Sequence, residues 1–389
     1  MNWRRKSKND WGRLDLNFKN LSEVSDYVNE RVKVENLTVE NYISTENMLP
    51  NKGGIDKATK LPSAKTTSFY AKGDILLSNI RTYFKKIWYA EKDGGCSNDV
   101  LVVRARSDID SKFLYYVLSN DKFFEYSSAT SKGTKMPRGD KSAIMQYQIP
   151  DMPIDAQRTI VNVLSALDGR ITENKKINHH LEQMIHLNFS NYFSNKSYEK
   201  KALGEICSVT LGGTPSRSKV EYWNGTIPWI NSGEINKFRI ISPSEHITEL
   251  GLVKSSTKLL PKHTTVLAIT GATLGQVSLL EIDSCSNQSV VGVQPSEELP
   301  YTFIYPFIVN KIHQLIAKQT GGAQQHINKG NVEELTVPLY TSNTIEEYNS
   351  IVEPIFNKIS NNCFENERLI MLRDSLLPKL MSGELSVTG

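Results

Sequence analysis

The sequence of 389 residues lacks the features that mark membrane, secreted and metal-binding proteins. No apolar run approaches the length of about 20 residues that a membrane-spanning helix needs. The basic residues 1–6 precede no apolar segment, so they do not form a signal peptide. Only four cysteines are present, and no two have the CxxC spacing of zinc and redox motifs. These absences favour a protein of the reducing cytoplasm that does not interact with membranes.

Signatures of common catalytic sites are also missing. There is no GxxxxGK(S/T) loop, HExxH, GxSxG, GxGxxG or Asn-Pro-Pro-Tyr-like tetrad for methylating an exocyclic amine. One loose nuclease-like match exists, because Asp151, Glu173 and Lys175 could together hold magnesium for phosphodiester cleavage. Asp151 lies at a domain edge, however, and the other two lie well along a predicted helix. We predict no catalytic residue and no metal ligand, and keep a self-contained magnesium-dependent nuclease as the alternative.

An internal repeat dominates the chain. A mixed, turn-rich stretch of about 130 residues precedes a long helical pattern, and both then recur. An offset of 188 residues relates the apolar positions of the two helical patterns. The pairs are Ile160 and Tyr348, Leu164 and Val352, Leu167 and Ile355, Ile171 and Ile359, Leu181 and Leu369, and the polar pair Asn174 and Asn362. A duplicated globular unit on a duplicated helix suggests a protein that reads two things at a fixed distance.

The alternating spacing of four and three residues predicts a coiled-coil seam, in which the asparagines fix the register. The first helix can run from about residue 155 to 193, whereas Pro354 should kink or split the second. A globular unit lies between the helices in the chain, so an antiparallel pair is the natural arrangement. The predicted fold is α+β, with two tandem mixed α/β domains joined and followed by long helices that form an antiparallel coiled-coil spacer. The predicted segments are a basic arm at 1–20, domains at 21–152 and 198–340, and spacer helices at 153–197 and 341–389.

Charge is distributed unevenly along the chain. Residues 1–152 have a net charge of +6, whereas residues 341–389 have a net charge of −3. This distribution suits a polyanion on the globular units and a protein partner on the helices. The alternative is that these are ordinary solvated surfaces, on which charge excesses of this size are common.

Two loops of the first domain combine basic, aromatic and hydrogen-bonding side chains. Arginine can pair with guanine, asparagine with adenine and lysine with phosphate, so both loops are candidates for DNA binding. The candidate residues are Ser78, Asn79, Arg81, Tyr83, Lys85, Lys86, Lys132, Thr134, Lys135 and Arg138. The corresponding loops of the second domain are hardly charged but rich in amide and hydroxyl groups, with candidates Thr270, Thr273, Gln324, Gln325 and His326. If these loops are plain solvated turns, the chain is instead a coiled-coil scaffold without a DNA role.

Several motifs resemble those of one known family. They are Leu203-Gly204-Glu205-Ile206, Gly212-Gly213-Thr214-Pro215-Ser216, Ile227-Pro228-Trp229-Ile230, Cys285-Ser286-Asn287-Gln288, the glutamine loop from Gly321 to Ile327 and the final segment Leu376–Leu385. Together they resemble the specificity (S) subunits of type I restriction-modification systems, over nearly the whole chain. The first domain departs from this pattern, because it has no GGTPS motif and residues 133–138 replace the glutamine loop. The resemblance adds the candidate DNA-binding residues Gly213, Thr214, Ser216, Arg217 and Trp229.

The resemblance also implies a mechanism. This subunit would perform no reaction itself, and each target recognition domain would read one half of a split double-stranded DNA target in the major groove. The paired helices would set the gap between the halves and dock two methyltransferase (M) subunits, which bind S-adenosylmethionine. ATP-dependent restriction (R) subunits would join them. S-adenosylmethionine, ATP and Mg are thus expected on the partner subunits, and no cofactor on this chain.

Overall fold

The computed structural model describes residues 17–317, 326–382 and 384–385. The chain forms two compact units, one made of the described residues before 170 together with those after 368, and the other of residues 170–368. Each unit therefore contains one domain and part of both long helices, whereas the sequence analysis divided the chain into consecutive segments. Residues 18–20, predicted to belong to a loose arm, form a strand of the first unit.

The two long helices are Ile154–Phe193 and Ser342–Met381, each of 40 residues. At 1.5 Å per residue, each is about 60 Å long. Pro354 was predicted to kink or split the second helix, and the split does not occur, because the helix continues through this residue. Pro354 lies on the exposed face, and the buried side chains of Val352 and Phe356 pack on either side of it. This packing outweighs the loss of one backbone hydrogen bond.

The helices pair antiparallel, which confirms the predicted arrangement. In the second unit the Asn174 amide donates to Asn366 Oδ1 at 3.0 Å, and the Asn362 amide donates to Asn178 Oδ1 at 2.8 Å. From the first pair to the second, the residue number rises from 174 to 178 on one helix and falls from 366 to 362 on the other, as in antiparallel helices. The asparagines thus join the helices through side-chain amides inside the seam, a contact that a shifted register would break.

The seam positions are buried to different degrees. Fully buried are Ile160, Leu164, Ile171, Asn174, Tyr348, Val352, Ile359 and Asn362. Partly buried are Leu167, Leu181, Ile355 and Leu369. Near Pro354 the fully buried position is Phe356 and not the predicted Ile355. The heptad pattern thus located the buried face of each helix to within one residue.

Each domain has ten strands and four α-helices within its described residues, but the α-helix Glu249–Val253 of the second domain lies among the strands, whereas the helices of the first lie near its two ends. In the first unit the strands are Phe18–Asn20, Ser25–Tyr27, Arg31–Lys33, Tyr42–Ile43, Thr66–Tyr70, Ile75–Ser78, Ile87–Tyr89, Gly94–Cys96, Val100–Ala105 and Gln148–Pro150, and the α-helices are Leu21–Val24, Ser111–Leu118, Asp121–Ala129 and Lys141–Ile144. In the second unit the strands are Glu199–Ala202, Val209–Leu211, Trp223–Ile230, Glu245–Ile247, Leu259–Leu260, Thr265–Ala268, Val277–Leu279, Ser284–Ser286, Val290–Val293 and Thr336–Leu339, and the α-helices are Leu203–Ile206, Glu249–Val253, Tyr301–Ala317 and Lys329–Glu333.

One antiparallel four-stranded sheet has the same topology in both units. Its order in the first unit is Ser25–Tyr27, Val100–Ala105, Ile75–Ser78 and Ile87–Tyr89. Its order in the second unit is Val209–Leu211, Val290–Val293, Thr265–Ala268 and Val277–Leu279. The sequence repeat is therefore a structural repeat.

A second, mixed sheet differs at its edge. Its order is Arg31–Lys33, Thr66–Tyr70, Gly94–Cys96 and Tyr42–Ile43 in the first unit, and Glu245–Ile247, Trp223–Ile230, Ser284–Ser286 and Leu259–Leu260 in the second. In the first unit the strand Gly94–Cys96 has one antiparallel and one parallel neighbour, and the additional edge strand, Arg31–Lys33, pairs with the antiparallel neighbour. In the second unit the corresponding strand is Ser284–Ser286, and the additional edge strand, Glu245–Ile247, pairs with the parallel neighbour. The two domains thus share a frame and diverge at this edge.

Each domain shares its hydrophobic core with the helices of its own unit. In the first unit Leu101 and Phe113 belong to one cluster with Leu164 and Leu377 of the long helices. In the second unit the corresponding cluster joins the sheet and the helix Tyr301–Ala317 to both long helices. A two-stranded ribbon, Phe18–Asn20 with Gln148–Pro150 or Glu199–Ala202 with Thr336–Leu339, closes each domain just before a long helix begins.

Candidate nucleic-acid interface

The structure brings the two basic loops of the first domain together. Gly139 N–H donates to the Asn79 carbonyl at 3.1 Å, and Arg81 N–H donates to the Pro137 carbonyl at 2.8 Å. Lys132 and Arg138 also exchange backbone hydrogen bonds, which closes the second loop into a hairpin-like turn. Two segments that lie about 50 residues apart in the sequence thus form one surface, which we call the first loop pair (residues 78–86 and 131–141).

The basic side chains of the first loop pair differ in how they are paired. Lys132 forms an ion pair with Asp140, Arg138 with Asp99 and Lys85 with Asp121. Lys86 is partly buried and donates to the Thr45 carbonyl at 2.7 Å, and burial lowers its pKa. In contrast, Arg81 and Lys135 are exposed and have no ion-pair partner among the residues that the structure describes. Both can therefore bind a phosphate without first breaking an ion pair with a carboxylate.

Other candidates of this pair divide into exposed and buried side chains. Tyr83 is 52% exposed, and Thr134 is also exposed. Ser78 and Asn79, however, are buried, and Asn79 connects the loops through its backbone carbonyl. The prediction that these two side chains contact DNA is therefore corrected, because a buried amide or hydroxyl cannot reach a base edge without rearrangement. The Ser78 hydroxyl donates to the Ile80 carbonyl at 3.2 Å, whereas Asn79 Oδ1 has no hydrogen-bond partner among the described residues.

The second domain joins its loops at the equivalent place. Ile327 N–H donates to the Ile269 carbonyl at 3.0 Å, as Gly139 does to Asn79 in the first domain. Thr270 precedes the 3₁₀ turn Gly271–Thr273 and Thr273 ends it; both are partly exposed, while His326 is exposed. Gln324 and Gln325 lie outside the described residues. We call residues 270–276 and 326–328 the second loop pair.

The GGTPS and Pro-Trp motifs have a mainly structural role. Trp229 is 2% exposed, and its indole Nε1 donates to the Gly213 carbonyl at 3.1 Å. A Cβ on buried Gly213 would lie 2.4 Å from Ser256 Oγ, so only glycine fits this position. Trp229 and Gly213 are thus corrected from candidate DNA contacts to packing residues.

The remaining residues of these motifs lie nearer the surface. Thr214 Oγ1 donates to Gln288 Oε1 at 2.5 Å, and Ser216 is exposed. Arg217 is exposed and stacks on Trp223, with the guanidinium carbon 3.6 Å from the ring centroid. It also donates to Glu245 at 2.9 Å, and this bond raises the pKa of the arginine and lowers that of the carboxyl. Sequence reasoning missed Trp223 and Glu245, although an aromatic residue six positions after an arginine was a weak signal.

The described residues form neither a metal cluster nor a membrane-spanning helix. No group of three or more His, Cys, Asp or Glu side chains there could hold a metal ion. Asp151 forms an ion pair with Lys19 at 3.0 Å, while Glu173 and Lys175 are exposed on the first long helix. Nor is any helix in the described part of the chain long and apolar enough to cross a membrane.

Comparison with known proteins agrees with this architecture. The family model for the type I restriction modification DNA specificity domain matches the chain twice, at residues 13–183 and 195–368. The specificity subunit of the type I restriction enzyme MjaIX of Methanocaldococcus jannaschii is 25% identical over 85% of this chain and 81% of its own length. That of HindI from Haemophilus influenzae is 22% identical over 88% of this chain and 94% of its own length. The crystal structure of the S subunit from M. genitalium matches with a TM-score of 0.59 at 19% identity, covering 97% of this chain and 98% of that one.

A duplicated domain on a pair of antiparallel helices, with a loop pair in each copy, defines a class of tandem recognition protein. The chain belongs to the family of type I restriction-modification DNA specificity subunits, which confirms the predicted family. Its function is DNA sequence recognition in a restriction-modification system, as predicted. The nuclease and scaffold alternatives are not favoured.

Proposed function

We propose that each loop pair reads one half of a split double-stranded DNA target and that the two long helices set the gap between the halves. The observation that supports this most directly is the repeated backbone junction, Asn79 with Gly139 and Ile269 with Ile327. The same frame displays different side chains in the two copies, as expected if each copy reads different bases. The asparagine pairs in the seam fix the helix register, and hence the gap.

Partner subunits bind the helices in this proposal. Leu187 is 61% exposed, and Met184 and Ile351 are also exposed on the helices of the second unit. Met371 and Leu372 are exposed on the second long helix within the first unit. Apolar side chains at such exposure on otherwise polar helices suit a protein partner. We assign this surface to two methyltransferase (M) subunits, one for each copy of the repeat.

Catalysis is assigned to the partners and not to this chain. The M subunits would bind S-adenosylmethionine, and the restriction (R) subunits would use ATP and Mg. This chain supplies the DNA contacts and sets the gap between the half-sites. In agreement, Asp151 is held in an ion pair and Glu173 is exposed to solvent, so the two do not form a magnesium site. Purified chain with magnesium should therefore leave DNA intact.

Methylation mapping in cells that contain this chain and its M subunit tests the proposal. We expect one split target with a fixed gap. An insertion of four residues beside His180, about one helical turn or 6 Å, should change the gap and leave both half-sites as they were. As a length control, His179 and His180 are replaced by alanine, which should not change the gap. An unchanged gap after the insertion contradicts the role of this helix.

A second measurement separates DNA recognition from a scaffold role. Arg81→Ala and Arg138→Ala each remove a cation from the first loop pair, so target methylation should fall in both variants. If methylation is intact in both, the first loop pair does not bind DNA and the scaffold alternative is favoured.

A further inference from the structure

A buried arginine links the second domain to both long helices. The Arg239 side chain is 0% exposed and lies on the loop after the 3₁₀ turn Ser232–Asn236. Its guanidinium donates to Glu182 Oε2 of the first long helix at 2.8 Å and to Tyr305 Oη at 3.1 Å. Tyr305 in turn donates to Glu182 Oε1 at 2.6 Å. Arginine, tyrosine and carboxylate thus form a closed three-membered network.

A second carboxylate extends this network to the other helix. Glu281 lies 3.8 Å from Arg239 Nε, and it accepts a hydrogen bond from Ser360 of the second long helix at 2.9 Å. The backbone of Arg239 is fixed as well, because Ile240 pairs with Leu279 and Glu281 at 3.1 and 2.9 Å. Arg239 is therefore connected to the domain through Tyr305 and through the backbone of Ile240. It is connected to the first long helix through Glu182 and to the second through Glu281, which binds Ser360.

Stability alone does not explain such a network. Removing a guanidinium and two carboxylates from water is costly, and packed apolar residues of similar size often stabilise a protein core equally well or better. The Arg239 Nε atom, moreover, has no hydrogen-bond partner within the described residues. A planar guanidinium also constrains orientation, because its N–H groups donate hydrogen bonds only at fixed angles.

Ionisation supports this reading. Burial opposes the charge of Glu182, but hydrogen bonds and charge from His186, Arg239 and Tyr305 lower its pKa to about 2. The carboxylate is therefore ionised at neutral pH and holds the arginine by charge as well as by geometry. Burial raises the pKa of Glu281, and its carboxylate lies 3.8 Å from Arg239 Nε, whereas that of Glu182 accepts a hydrogen bond from the guanidinium at 2.8 Å.

We propose that Arg239 is a positioning residue that fixes the angle of the second recognition domain on the helix pair and so determines the allowed gap between half-sites. It contacts no candidate DNA-binding side chain, so it should affect the gap and not the bases that are read. The first unit has a related network, in which Tyr116 donates to Asp168 at 2.8 Å and Arg373 donates to Asp168 at 2.9 Å. In both units a carboxylate of the first long helix joins a domain tyrosine to an arginine.

The inference rests on the proposed function, and one library experiment tests it. A plasmid library presents the two mapped half-sites at every gap length, and methylation is measured for Arg239→Lys, Glu182→Gln and the unchanged chain. Arg239→Lys keeps the positive charge but loses the planar guanidinium, and Glu182→Gln keeps the side-chain shape but loses the negative charge. We expect discrimination against gaps one base pair too long or short to fall about tenfold, the size of a broken coupling between contacting residues. Base preference within each half-site should stay the same.

Controls make every outcome decisive. Glu333→Gln removes an exposed ion pair with Lys329 in the same unit and should leave the gap preference sharp. Thermal unfolding identifies any variant that does not fold, and the remaining variant then decides. A folded variant that keeps the original gap discrimination, or loses base preference together with methylation, overturns the proposal. If the unchanged chain itself shows no split target, the proposed function fails instead.

Discussion

Removing two exposed cations of the first loop pair, neither of which has a carboxylate partner within the described residues, should weaken the salt dependence of DNA binding. The perturbation is Arg81→Gln with Lys135→Gln, which keeps side-chain length and removes both charges. Neither residue makes an ion pair within the described residues, whereas Lys132, Arg138 and Lys85 all do. Arg81 and Lys135 should therefore each neutralise one phosphate without first breaking an ion pair.

The expected magnitude follows from counterion release. Each phosphate neutralised on B-DNA contributes about 0.9 to the slope of log K against log salt concentration. Two contacts thus contribute about 1.8, and between 50 and 200 mM salt this corresponds to about a 12-fold change in affinity. The variant should bind DNA more weakly than the unchanged chain at 50 mM salt. The ratio of the two affinities should be about 12-fold smaller at 200 mM salt.

Fluorescence anisotropy with a labelled duplex of random sequence measures this slope, because phosphate contacts do not depend on sequence. Lys19→Gln is the matched control, since Lys19 is already paired with Asp151 near the start of the first long helix. Thr270→Ala in the second loop pair removes no charge, so it should leave the slope unchanged. Equal slopes for the double variant and the unchanged chain would refute the assignment of Arg81 and Lys135 to phosphates.

Three further predictions concern stability. Trp229→Ala should lower the free energy of unfolding by about 3–5 kcal/mol, because it empties a buried site, and urea denaturation measures this loss. Asn362→Leu leaves the Asn178 oxygen unpaired in the seam and should cost about 1–3 kcal/mol by the same method. The pKa of Glu182 is lowered from 4.5 to about 2, so its stabilisation is full above pH 4.5 and is lost as the pH falls toward 2. Unfolding measured at pH 5 and pH 3 should show a loss on the order of 2 kcal/mol, and the remainder is lost below pH 3.

Controls accompany these three measurements. Leu211→Ala, at an exposed position of the same domain, should cost far less than the tryptophan variant. Joint replacement of Asn362 and Asn178 by leucine should recover stability, because no unpaired amide remains; continued destabilisation would show that the amide pair is not the cause. Glu182→Gln should remove the pH dependence between pH 5 and 3, and a variant that keeps it would assign the effect to other carboxyl groups.

Local periodicity determined the helical part of this protein. The positions of the seam follow from a spacing of four and three residues, and an apolar stripe on a helix must be buried wherever the helix packs. The offset of 188 residues also predicted two copies of one domain, because similar sequences fold alike. Pro354 was the exception, since the rule for an isolated helix does not include packing by a partner helix.

Tertiary structure decided which polar side chains are available for binding. Asn79 and Trp229 had the right chemistry for a base contact, but burial depends on residues far away in the chain, such as Gly139 and Gly213. The pairing of Arg138 with Asp99, and of Arg239 with Glu182, likewise joins segments 39 and 57 residues apart. A sequence pattern records neighbours along the chain, whereas charge pairing and burial depend on neighbours in space.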